Sequence, residues 1–122
     1  ERQDRDLWLI DDCSMEGACQ MTWPRGRNII QVCKPAEEFI FCKPIALLHL
    51  DADHTEPVVR EHLFKYAPHV VVGGAIVFHD FGGQEYPGVK AAWEYWLNQV
   101  ASRSRHWQKT AAAGSVQVVR RV

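Results

Sequence analysis

Residues 45–54, I-A-L-L-H-L-D-A-D-H, constrain the chain more than any other stretch. Residues 45–50 are apolar apart from His49, with no polar alternation. Such a run fits a strand of a parallel sheet buried on both faces under helices. It stops abruptly at Asp51, Asp53 and His54, and Thr55 then opens a helical pattern. In open α/β sheets the ligand crevice lies just beyond the carboxyl ends of the strands. Two carboxylates and an imidazole at that point make a candidate active site.

The flanking sequence supplies the rest of such a sheet. Residues 7–10 (L-W-L-I) read as a short strand ending in Asp11-Asp12, and residues 28–33 (N-I-I-Q-V-C) as a second. Between them the pattern is weak, with a short helix expected over residues 14–21 and a turn at Pro24 and Gly26. Residues 36–41 suggest one helical turn. Thr55 suits an N-cap and Pro57 a first turn. Val58, Val59, Leu63 and Tyr66 or Ala67 then form an apolar stripe, with Arg60, Glu61 and Lys65 toward water. Pro68 ends that helix. Gly73-Gly74 reads as a tight turn before a buried strand over residues 75–78, which ends in His79-Asp80.

Residues 81–88 form a glycine-rich loop, with Gly82-Gly83 as a candidate hinge. The clearest helix follows: Val89, Ala92, Trp93, Trp96, Leu97 and Val100 recur on one face. Residues 102–114 are small and polar, and residues 115–119 read as a closing edge strand. No repeat or linker divides the 122 residues, so a single α/β domain is expected.

Composition excludes several partners. Fourteen basic and fifteen acidic side chains leave a net charge of -1, which gives no reason to expect nucleic acid or an anionic membrane. No apolar run approaches the roughly 18 residues of a membrane span. The four cysteines (Cys13, Cys19, Cys33, Cys42) lack the paired spacing of a zinc site. They read as reduced, mostly buried thiols of a cytoplasmic protein.

The chemistry concentrates at strand ends. Asp51, Asp53, His54, His79 and Asp80 close two strands that one intervening helix makes parallel neighbours. Hard cations such as Mg²⁺ take oxygen ligands, often one or two carboxylates plus water. Asp51 and Asp80 are the natural pair, and His54 supplies the imidazole, the side chain that most often serves as general base. For one strand end alone the simpler reading is that Asp51 and Asp80 cap loops and His54 is a surface histidine; two such ends together reverse that preference. Asp11-Asp12 could accept hydrogen bonds from the ribose hydroxyls of a nucleotide-containing cofactor, or cap a helix.

L-L-H-L-D-A-D-H-T-E-P-V-V-R-E-H-L, V-G-G-A-I-V-F-H-D-F and P-G-V-K-A-A-W-E-Y-W together resemble a group of class I S-adenosylmethionine-dependent methyltransferases. These are metal-assisted O-methyltransferases of sugars and antibiotic-like natural products. The resemblance implies a Rossmann-like three-layer sandwich with a mostly parallel sheet. It implies S-adenosylmethionine and Mg²⁺ or another divalent cation as cofactors, and a small hydroxylated substrate. Asp51 and Asp80 match metal ligands, His54 the proposed base, and Asp11 or Asp12 the cofactor-ribose acid. Some members carry an acid where this chain has His79, others a histidine.

The family's first strand and its glycine-rich turn should precede Leu7, so the expectation is a fold truncated at the N-terminus. Its absence would leave a gap in the sheet. Pairing of residues 7–10 with residues 45–50, a homodimer filling the gap, or a longer parent chain would each close it. The alternative function is a catalytically inactive, dimeric methyltransferase-like module. A metal-dependent hydrolase is a weaker third reading, for lack of two-metal ligands.

Overall fold

Six strands form among the described residues, which are 6–11, 29–33, 35–51 and 53–122 of a computed structural model. The short helix expected over residues 14–21 lies outside them. The chain divides into two units, Glu1–Phe39 and Ile40–Val122. In the first, β1 (Leu7–Asp11) pairs in parallel with β2 (Ile29–Cys33), from Leu7 opposite Ile29 to Asp11 opposite Cys33. Among the described residues, the partner of β1 within its unit is β2. The helical turn expected over residues 36–41 reduces to one tight turn, closed by the Glu38 amide donating to the Pro35 carbonyl at 2.9 Å.

The second unit holds a four-stranded sheet in the order β3-β4-β6-β5. Strand β3 (Ile45–Leu50) and β4 (Val70–Phe78) are parallel neighbours joined through helix α1 (Glu56–Tyr66), as expected. Beyond them β6 (Val116–Arg121) runs antiparallel to both β4 and β5 (Trp107–Ala113). The architecture is α/β and Rossmann-like, parallel where the strand ends carry acids and antiparallel beyond.

Helix α2 (Gly88–Gln99) packs beside α1, and Val89, Ala92, Trp93 and Trp96 are buried on one stripe, as the periodicity required. These meet Val59, Leu63, Ile76, Phe78 and Val119 in one core. Its centre is aromatic. Trp93 lies 5.4 Å from both Phe78 and Trp96, and Trp107 stands edge-on to Trp93 and Trp96 at 5.8 and 5.7 Å. These separations suit rings that pair quadrupole edge to face.

Several expectations change. Strand β3 is not buried on both faces. Leu48 and Leu50 pack against the core while Leu47 is 64% exposed, because the helices of this unit cover the face on which Ile76 and Phe78 lie. Gly73-Gly74 is no turn before a new strand but a distortion within β4. Residue 45 pairs with 70 and residue 47 with 75, so four residues of β4 bulge opposite one of β3. Gly73 takes a positive φ of 85° there. At Gly74 a Cβ would lie 2.8 Å from the Val71 carbonyl oxygen and 3.0 Å from that of Ala46.

Residues 102–114 include a four-residue helix α3 (Arg103–His106) and all of β5. Strand β6 is accordingly interior and β5 the edge. Val100 leaves the helical stripe as the C-cap of α2 and is exposed. Cys42 is a free thiol, as expected, but exposed rather than buried.

Candidate active site at the strand ends

The register of β3 and β4 builds the site. Leu50 pairs with Phe78, and the His79 amide donates to the Leu50 carbonyl at 3.3 Å, so Asp51 and His79 emerge side by side. His79 Nδ1 lies 3.3 Å from Asp51 Oδ1. Asp80 adopts φ 55°, the left-handed region where Asp is among the tolerated non-glycine residues. That turn breaks the alternation of the strand. It lets Phe81 pack on Phe78 at 5.4 Å while the Asp80 carboxylate joins the cluster. Asp80 Oδ2 is 3.0 Å from His79 Nδ1 and 3.1 Å from His54 Nδ1.

His54 arrives from the connection between β3 and α1. Asp53 organises that connection, its Oδ1 accepting from both the amide and the hydroxyl of Thr55 at 2.6 Å. Thr55 occupies the N-cap position as expected, but its side chain makes no capping bond to the helix. Partial burial pushes the Asp53 carboxyl up; the two bonds from Thr55, with His62 and His54 nearby, outweigh this and hold it below its ordinary value. Asp53 is thus accounted for as the residue that shapes the turn. Of the acids that end these two strands, Asp51 and Asp80 are left facing the crevice.

Two neighbours escaped sequence reasoning. Tyr86 stacks on the His54 imidazole, with ring centroids 4.3 Å apart and planes inclined by 27°. It lines an open cleft of about 440 Å³ with Asp53, His54, Thr55, Glu85 and Pro87. A lone aromatic in a glycine-rich loop has no periodicity to betray it. Gly88 is the second. A Cβ there would fall 2.4 Å from the His54 carbonyl oxygen and 2.7 Å from the Glu56 amide nitrogen, so only glycine lets α2 start against the entrance of α1. The P-G-V signal was visible, but the contact behind it was not.

The donor set fits a divalent cation. One ligand atom from each of Asp51, His54 and Asp80 lies within 4.8 Å of the others. The Nδ1 atoms of His54 and His79 are buried, stand 3.0–3.3 Å from carboxylate oxygens, and yet make no hydrogen bond of acceptable angle. Donors gathered without bonding one another are what a cation pocket requires. Side-chain exposures of 19% for Asp80, 33% for His54 and 45% for Asp51 leave the cluster open to a small molecule. Asp11 ends β1 as expected; its side chain, and Asp12 altogether, lie outside the described residues.

Comparison with known proteins adds the lineage. The chain resembles the structure of the O-methyltransferase NovP, with a TM-score of 0.73 at 13% identity, over 98% of this chain and 61% of that one. It also resembles apo CalS11, a TDP-rhamnose 3'-O-methyltransferase of calicheamicin biosynthesis (TM-score 0.70, 14% identity, 95% and 59%). A third likeness is to MycE, a methyltransferase of the mycinamycin pathway solved with Mg, SAH and mycinamycin VI (0.65, 20%, 95% and 36%). At such identities the likeness is one of fold, and the chain spans between 36% and 61% of the length of these proteins. No curated protein matches the chain. The model of a family described as a methyltransferase domain matches residues 15–81, a span that holds Asp51, His54, His79 and Asp80 and excludes Asp11 and Asp12. More than half of the sequence thus follows that pattern, and the chain belongs to this methyltransferase-domain family.

Proposed function

We propose that the chain serves S-adenosylmethionine-dependent, divalent-metal-assisted O-methyl transfer to a small hydroxylated substrate. The observation that carries this reading is the convergence of Asp51, His54 and Asp80 at two adjacent strand ends. Asp51 and Asp80 would hold the cation, and Asp11 or Asp12 the ribose of the methyl donor. When bound, the cation supplies positive charge that favours the ionised acceptor hydroxyl, and the donor supplies an electrophilic methyl group. His54, held between the Tyr86 ring and the Asp80 carboxylate, would accept the hydroxyl proton as the acceptor oxygen takes the methyl group, the donor leaving as S-adenosylhomocysteine. The cleft beside Tyr86 orients the acceptor, so positioning contributes much of the rate. A sugar suits this open cleft, where the Tyr86 ring and Pro87 offer an apolar face beside the polar groups of Asp53, His54, Thr55 and Glu85, and CalS11, a methyltransferase of TDP-rhamnose, offers a parallel.

Calorimetric titration with S-adenosylhomocysteine, with and without Mg²⁺ or Mn²⁺, tests the reading. Binding near the micromolar range that strengthens with cation is expected. No binding at millimolar concentration overturns it.

One observation favours a second reading, an inactive module that pairs with its own copy. Ile40, Leu47 and Val72 are 77, 64 and 72% exposed, apolar side chains whose burial association would favour. A dimeric solution mass without S-adenosylhomocysteine binding would select it.

A further inference from the structure

The inference rests on the reading that Asp51 and Asp80 hold a divalent cation, and concerns which cation. Mg²⁺ favours all-oxygen surroundings, whereas imidazole nitrogen suits ions such as Co²⁺, Ni²⁺ and Zn²⁺. Among the ion pairs of the described residues, His79 Nδ1 approaches both candidate ligands, at 3.3 Å from Asp51 and 3.0 Å from Asp80. His54 has such a contact with Asp80, and its ring is engaged by Tyr86. Two donors about 2.1 Å from one ion stand about 3.0 Å apart at right angles and about 3.4 Å apart at the tetrahedral angle. The spacings around His79 fall in that interval. The buried Nδ1 atoms of His79 and His54 both lack a hydrogen bond, so it is the approach to both carboxylates that singles out His79.

We propose that His79 is the third ligand through Nδ1, that the resulting two-carboxylate, one-imidazole set selects a first-row transition ion over Mg²⁺, and that His54 is thereby left to act as base. The geometry follows from the register, because residue 79 is the position that β4 places beside Asp51.

Metal-stripped protein titrated with Co²⁺ and Mg²⁺ by calorimetry provides the test. The expected Co²⁺ preference is on the order of 100-fold or more. Because most sites favour Co²⁺ to some degree, the deciding quantity is how that ratio responds to residue 79. His79→Asp should shrink it about tenfold or more, by weakening Co²⁺ and strengthening Mg²⁺, and His79→Asn should weaken Co²⁺ alone. A ratio unchanged within about twofold in both variants overturns the proposal. Asp51→Asn/Asp80→Asn separates the two levels. If Co²⁺ binding ignores the aspartates, the site reading and the proposal fall together; if it needs them but ignores His79, the proposal falls alone. Should the His79 variants fail to fold, pulsed electron paramagnetic resonance of Cu²⁺ in His54→Gln decides. Nitrogen coupling from a directly bound imidazole, removed by Asp51→Asn/Asp80→Asn in the same background, supports the assignment, and its absence overturns it.

Discussion

The helix-covered core and the crest of polar residues at the strand ends lie within one unit and obey opposite rules. In the core, Trp93, Trp96, Trp107 and Phe78 fill one another's surfaces at ring distances of 5.4 to 5.8 Å. At the crest, two carboxylates and two imidazoles crowd together, and the buried imidazole nitrogens lack hydrogen bonds. The core is built of contacts that are complete without a ligand. The crest gathers groups whose interactions a ligand would complete, so stability and binding should respond to different substitutions.

Trp93→Ala should break the comparison most severely. Deleting a ring buried on all sides is expected to cost about 3–5 kcal/mol in denaturant unfolding, with cation affinity lost only in proportion to the unfolded fraction. Gly88→Ala comes next and couples the regions. Its Cβ collides with backbone of both His54 and Glu56, so about 2–3 kcal/mol of stability and the placement of His54 should be lost together. Asp53→Ala removes the acceptor of both Thr55 bonds and should lower stability by about 1 kcal/mol at neutral pH. Asp80→Gly should sharpen the contrast in the opposite sense. Relief of the positive φ is worth about 0.5–1 kcal/mol of added stability, while calorimetry should register weakened cation binding.

The smallest effect is one of pH. The Asp53 carboxyl is held below its ordinary value. Its contribution is therefore fully present above the unfolded value of about 4 and is lost as pH falls through the folded value. Urea midpoints followed downward from pH 5 should decline less steeply in Asp53→Asn, which keeps an acceptor but cannot titrate. Equal slopes in the two proteins would contradict that assignment.

How far the sequence reaches differs between the same two regions. Strand β3 was legible because an apolar run stopped dead at acids, and α2 because six apolar residues kept helical phase. The meeting of Asp51, His54 and Asp80 followed from one physical rule, that strands joined through a helix run parallel and present the same ends. Strand β5 was not legible, since W-Q-K-T-A-A-A buries only Trp107 and shows no alternation. The bulge at Gly73-Gly74 mimics a turn, because both use glycine to escape ordinary backbone geometry. Tyr86 and the Gly88 contact are tertiary facts, set by where a loop lands. His79 was visible as a polar strand end, but only the register with β3 puts its nitrogen between two carboxylates.

The seating of Gly88 on the backbone of His54 also governs where this chain can vary. The chain between Asp80 and Gly88 is held at both ends, by the Phe81 amide donating to the Ser115 carbonyl at 2.8 Å and by Gly88 seated where a Cβ would meet the backbone of His54 and Glu56. Insertions placed between those pins should lengthen the loop outward without moving His54, Asp51 or Asp80. On the proposed reading, a change of acceptor would therefore be acquired by lengthening or exchanging residues 82–85, short of the Tyr86 ring that stacks on His54.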